Sequence, residues 1–133
     1  MPTCERPQLL RRAVLSVLNQ TEPDLELLVI NDGGTDVRPV LAAFGDARIQ
    51  LIDQTGHRGQ SAARNTGLKA ARGEYIAYLD DDDTFYPEHL ATLLAAAQPT
   101  GAAYADAWRV FRDEQGRETR RDQPFSQDFD RDL

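Results

Sequence analysis

Long apolar runs are missing from this 133-residue chain. No stretch approaches the roughly 20 consecutive apolar residues that a membrane-spanning helix requires. The first residues also lack the charged, apolar and small-residue succession of a signal peptide. A soluble cytoplasmic domain, at most resting on the cytoplasmic face of a membrane, is the expectation. Cysteine is nearly absent: Cys4 stands alone, so no internal disulfide can form and no cysteine-based zinc site can be built. Positive charge is in deficit, with 15 Lys and Arg against 22 Asp and Glu for a formal net charge of −7, and Lys69 is the single lysine. That balance argues against a general nucleic-acid binder, which needs a basic footprint to release counterions. A small phosphorylated ligand is not excluded, because a helix N-terminus, one arginine or a bridging cation suffices to hold it. The two histidines, His57 and His89, have no partner at ligand spacing and read as surface or supporting residues.

What is present is enough for a core. Hydrophobic residues make up 41% of a chain about one domain long. Leu9, Leu10, Ala13, Val14, Val17 and Leu18 recur at helical spacing, so residues 7–20 read as an amphipathic helix with Pro7 in its first turn. After Pro23 and Asp24, residues 25–30 (LELLVI) read as a buried strand that stops at Asn31, Asp32, Gly33 and Gly34. A short helix over 37–44, a strand over 49–52 and a helix capped by Ser61 and running to 71 follow. Residues 74–79 (EYIAYL) read as a strand running into Asp80, Asp81, Asp82 and Asp83. A helix from Pro87 to about 97, a strand over 102–111 and a turn at Gly116 complete the pattern, while residues from 117 onward are polar and receive no assignment. Alternating strands and helices imply βαβ units and a mostly parallel sheet, in which ligands collect beyond the carboxyl ends of the strands. The Asn31 to Gly34 segment and the four aspartates both lie at such ends.

Four successive aspartates after a buried strand are electrostatically costly: two unit charges about 4 Å apart repel by roughly 4 kcal/mol at an effective dielectric near 20. A divalent cation relieves this, and carboxylate oxygens are the donors Mg2+ and Mn2+ prefer. A solvated acidic turn is the competing reading. Asp32 either braces the Gly33-Gly34 turn or accepts hydrogen bonds from a nucleobase or ribose. Arg64, in a helix otherwise lined with alanine, is either a surface charge or a planar fork for phosphate oxygens.

Taken together, these segments resemble family 2 glycosyltransferases of the GT-A fold. Residues 2–7 (PTCERP) resemble the PTYNRP motif that opens the family's pattern, 15–21 (LSVLNQT) its SVLNQT stretch, and 29–36 (VINDGGTD) its VVDDGSTD. Residues 59–67 (GQSAARNTG) resemble GxSxARNxG, and 73–87 (GEYIAYLDDDDTFYP) resemble GEYIxFLDDDDxxxP. The resemblance implies a three-layer α/β/α Rossmann-like fold with a mostly parallel sheet, of which residues 1–112 form an incomplete nucleotide-sugar-binding domain. Residues 113–133 would be a polar tail leading towards an acceptor-binding region. It also implies inverting transfer of a sugar from a nucleoside diphosphate to an acceptor hydroxyl, in the setting of polysaccharide biosynthesis.

Carried over residue by residue, Asp82 is the ligand of Mn2+ or Mg2+, and Asp80 and Asp81 face ribose or metal-bound water. Asp32 contacts the base, Thr3 and Glu5 lie at the base and ribose edge, and Arg64 lies near the diphosphate. The donor is expected to be a UDP- or dTDP-sugar, with the acceptor unspecified. Cys4 stands where the family often has an aromatic residue, Glu5 where Asn is common, and Asn31 where the first acid of the DD pair is usual. The family's strand before the opening motif and its catalytic Asp or Glu have no counterpart. Asp128, Asp130 and Asp132 carry no pattern that makes one of them the base, so the chain reads as a fragment. A sheet lacking that strand invites pairing with a second copy.

Two other readings stay open. One is a noncatalytic nucleotide-sugar-binding module. The other is a haloacid-dehalogenase-type phosphatase, in which 80–84 (DDDDT) supplies Asp80 as nucleophile and Asp82 as acid, although the only lysine lies upstream. A calcium loop lacks the glycine it needs, and a nucleotidyltransferase lacks its glycine-rich N-terminal loop.

Overall fold

The computed structural model describes residues 1–98, 101–103, 105 and 107–125, and it separates into two compact units, Met1–Ala95 and Ala96–Leu133. The first unit is built on a three-stranded parallel sheet in the order β1-β2-β3, comprising Pro2–Thr3, Leu27–Asn31 and Ile49–Asp53. Helix α1 (Pro7–Leu18) joins β1 to β2, and α2 (Arg38–Ala42) joins β2 to β3. Helix α3 (Gln60–Ala70) follows β3, and α4 (His89–Ala97) comes after the acidic turn.

Alternation along β2 explains the layers. Leu27 and Val29 join Leu10, Ala13, Val14 and Val17 of α1, Val37 and Leu41 around α2, and Leu79 in one buried cluster. Ile30 is also buried, and its side chain reaches towards Gly67 of α3. A strand apolar on both faces is what a parallel sheet covered on each side requires. The α/β/α arrangement with a parallel sheet expected from the sequence is therefore present. Pro7 sits in the first turn of α1, where its missing N–H costs no hydrogen bond.

Three local expectations change. Residues 74–79 form no strand, and Tyr75, Ile76 and Tyr78 are exposed while Leu79 alone is buried. The reason lies in β1, an edge strand only two residues long that includes Pro2 with no N–H to donate. Without a ladder, the β-forming composition of 74–79 does not produce a strand. The cap of α3 is Gly59 at φ +88, not Ser61, which lies inside the helix. Residues 118–125, left unassigned from sequence, form a strand.

In the second unit β4 (Ala107–Arg112) pairs antiparallel with β5 (Glu118–Phe125). The hairpin turns through Asp113, whose backbone bonds to Arg117 O at 3.0 Å and accepts from Gly116 N at 2.9 Å. Of the strand expected over 102–111, residues 107–111 lie in β4 while 102, 103 and 105 do not; positions 104 and 106, and the tail with Asp128, Asp130 and Asp132, lie outside the described residues. Among the described residues, no helix is long and apolar enough to cross a membrane.

Candidate functional site

Three loops meet beyond the carboxyl ends of β1, β2 and β3. Gly33, at φ +76, lies so near the loop after β3 that a Cβ on it would stand 2.4 Å from Gly56 C and 2.5 Å from His57 N. A Cβ on Gly34 would stand 2.7 Å from Glu5 N, in the loop after β1. The two glycines are thus a packing requirement, since only a residue without a side chain lets the three backbones converge. Glu5 itself adopts φ +57, a left-handed conformation rare outside glycine, and its Oε2 accepts from Thr35 Oγ1 at 2.7 Å.

Asp32 is buried and clamps this junction. Its Oδ1 accepts from Arg58 N at 2.7 Å, its Oδ2 from Gly59 N at 2.8 Å, and His57 Nδ1 lies 3.0 Å from Oδ2. The carboxylate therefore caps the loop that starts α3, where negative charge is favoured by the helix dipole. Asn31 does the neighbouring work: its amide donates to Thr35 O at 3.3 Å and Asp53 Oδ1 at 3.1 Å, and its Oδ1 accepts from Gly34 N at 3.3 Å. An aspartate at position 31 has no proton to donate to Asp53, which gives the substitution noted in the sequence a physical basis. Cys4 Sγ lies 3.7 Å from His57 Nδ1 at the exposed side of the same junction.

The acidic turn lies across from it. Asp83 N bonds to Asp80 O at 3.2 Å, bringing the four carboxylates into one bend. Each of the first three has its own partner. Arg64, from α3, donates through Nη2 to both oxygens of Asp80 at 2.8 and 3.1 Å. Asp81, expected beside ribose or metal-bound water, is wholly buried, and its Oδ2 accepts from Thr3 Oγ1 at 2.7 Å. Arg6 reaches both neighbours, with Nη2 at 2.7 Å from Asp81 Oδ1 and Nη1 donating to Asp82 Oδ2 at 2.8 Å. The contact with Asp81 Oδ1 is an ion pair without an aligned N–H, so that oxygen keeps an unfilled acceptor site. Burial, then the charges of Asp82 and Asp80, push the Asp83 carboxyl above the usual carboxylate range.

The turn is held from below by the LSVLNQT stretch. Ser16 Oγ accepts from Phe85 N at 3.1 Å. The buried Gln20 donates to Ser16 O at 3.0 Å and Tyr86 O at 2.7 Å, and accepts from Leu90 N at 2.9 Å. Thr21 N adds a 2.9 Å bond to Pro87 O. These contacts give that stretch a role the sequence did not disclose: it fixes where the chain leaves the aspartates.

Among the described residues, Asp80, Asp82 and Asp83 can each offer an oxygen such that all three atoms lie within 4.8 Å of one another. Hard oxygen donors around an acid disfavoured in its charged form fit a small divalent cation. Sequence places Asp83 in the acidic run without a role of its own and marks no role for Arg6. Arg6 lies in the opening motif, but only the fold brings it across to residues 81 and 82. Thr3, Glu5 and Asp32 gather at the strand ends, and Arg64 joins Asp80 on the acidic side.

Comparison with known proteins gives the class of this parallel α/β domain with an acidic turn beyond its strand ends. The profile of glycosyl transferase family 2 matches residues 1–132, and the chain belongs to that family. It is 42% identical over 95 residues to the succinoglycan biosynthesis protein ExoO of Rhizobium meliloti, covering 71% of this chain and 27% of that protein. It is 38% identical over 101 residues to the putative colanic acid biosynthesis glycosyl transferase WcaA of Escherichia coli, covering 74% of this chain and 36% of the other. Among solved structures, S. aureus TarS 1-349 in complex with UDP-GlcNAc superposes with a TM-score of 0.65 at 22% identity, over 75% of this chain and 30% of that one. The mannosyltransferase PcManGT from Pyrobaculum calidifontis, in complex with GDP-Man and Mn2+, gives 0.62 at 25% identity, over 86% and 34%. The chain spans about a quarter to a third of the length of these relatives. The family match displaces the phosphatase reading of Asp80.

Proposed function

We propose that this chain is the donor-binding part of a glycosyltransferase that passes a sugar from a nucleoside diphosphate to an acceptor hydroxyl, with inversion at the anomeric carbon. The observation that carries the proposal is the convergence of Asp80, Asp82 and Asp83 beyond the sheet of a family 2 chain. PcManGT, whose structure holds GDP-Man and Mn2+, supports a nucleotide-sugar donor and a divalent ion. The names of ExoO and WcaA support a place in polysaccharide biosynthesis.

In this reading Asp82 is the principal ligand of Mn2+ or Mg2+, with Asp80 and Asp83 beside it. When bound, the ion neutralises charge on the departing diphosphate as a Lewis acid. Asp81 anchors the turn through Thr3 rather than facing the ligand. Arg64 lies near the diphosphate, its guanidinium oriented by Asp80 through Nη2. Thr3, Glu5 and Asp32 shape the base and ribose edge, the last by holding residues 57–59. A UDP- or dTDP-sugar is the expected donor, and no catalytic base is assigned.

The second reading is a binding module without turnover. The two separate on one assay: nucleoside diphosphate release from UDP- and GDP-sugars by this chain and by one extended at both ends. Release by the extended chain alone assigns catalysis to the whole protein and donor binding to this part. If neither form releases product nor binds any nucleotide sugar, the proposal is wrong.

A further inference from the structure

Arg6 is bound to the site in an unusual way. Its backbone is fixed as the residue before α1, yet its side chain is 46% exposed and bridges a fully buried carboxylate, Asp81, to a half-exposed one, Asp82. Only Asp82 belongs to the set that converges for a cation. A guanidinium on Asp82 Oδ2 and a divalent ion on the same carboxylate carry like charge and draw on the same acceptor. Both cannot hold it at full strength. Asp81, by contrast, keeps its second oxygen on Thr3 and stays a negative anchor for Arg6 whatever happens at Asp82.

We propose that Arg6 is the resident counter-cation of the acidic turn and exchanges partners during donor binding. It yields Asp82 to the incoming divalent ion and turns its freed Nη1 to the diphosphate, while Nη2 stays by Asp81. This inference rests on the donor-binding reading above. Arg6 is thus a positioning residue for the metal ligand and, with metal in place, a diphosphate contact.

The exchange gives opposite signs to two affinities. In the 133-residue chain, Arg6→Met tightens Mn2+ alone, measured as free ion by electron paramagnetic resonance. The same change weakens UDP or GDP at saturating Mn2+ by about tenfold, the scale of one charge-assisted bond. A merely structural Arg6 would lower both. Unchanged or weaker Mn2+ binding in Arg6→Met overturns the exchange. A second readout needs no variant: as Mg2+ is titrated into the 15N-labelled chain, the Arg6 Nη1 resonance is expected to leave its carboxylate-bonded position while the Nη2 resonance, still beside Asp81, holds. An Nη1 resonance unmoved at saturating Mg2+ also overturns it. If the unsubstituted chain binds neither Mn2+ nor nucleotide, the donor-binding reading falls along with it; if it binds both, a failed Arg6 test removes the exchange alone.

Discussion

The Thr3 hydroxyl donates a 2.7 Å hydrogen bond to Asp81 Oδ2, joining two buried side chains 78 residues apart in sequence. It ties the end of β1 to the acidic turn. Replacing Thr3 by Val keeps the shape but removes the donor, leaving a buried carboxylate short of a partner. The expected cost is about 1–3 kcal/mol in urea-induced unfolding, with Thr3→Ser recovering most of it.

Gly33 and Gly56 share a left-handed backbone, but a Cβ on each would meet different surroundings. Both have φ near +75, yet a Cβ on Gly33 would meet the backbone of 56 and 57, whereas one on Gly56 meets nothing within 4 Å. Gly56→Ala is expected to cost about 1–2 kcal/mol, the conformational penalty alone. Gly33→Ala is expected to cost distinctly more, because the junction of three loops must open. Paired thermal or urea unfolding curves check the order.

Gln20 makes three side-chain hydrogen bonds, of which two, to Tyr86 O and from Leu90 N, position residues 86–90. Gln20→Ala orphans Leu90 N and Tyr86 O and is expected to lose about 2 kcal/mol. Hydrogen exchange is expected to quicken at residues 85–90 first, with β2 and β3 little affected.

Acid sensitivity has a local source away from the site. Hydrogen bonds from the Arg48 side chain and backbone hold the Asp46 carboxyl down from 3.8 to about 2. A depressed acid contributes stability above its unfolded value that is lost as pH falls through its folded one. Between about pH 4 and 2, the unsubstituted chain is therefore expected to lose stability that Asp46→Asn lacks from the outset. Comparing urea midpoints of the two forms across that window tests it.

How far the sequence revealed this arrangement depended on the range of the interaction. Helix α1, β2, β3 and the parallel layering were legible because apolar periodicity is local, as Leu10, Val14 and Val17 illustrate. The strand expected over 74–79 does not form, since composition says nothing about whether a neighbouring strand is long enough to pair with it. At the site, the resemblance directed attention to Asp32, Arg64 and the aspartates, but not to their partners. Arg6 with Asp82, and Gln20 with the backbone of 86–90, are contacts across more than 60 residues, and spacing along a chain carries no sign of them.

The central claim is that the acidic turn holds a donor through a divalent ion. Calorimetric titration of a UDP- or GDP-sugar, with Mn2+ and again with excess chelator, tests it most directly when repeated on Asp82→Ala. The account predicts binding that needs Mn2+ and a loss of at least about tenfold in Asp82→Ala, since a cation ligand is removed. Equal affinity with and without metal, or an Asp82→Ala form that binds like the unsubstituted chain, would contradict it.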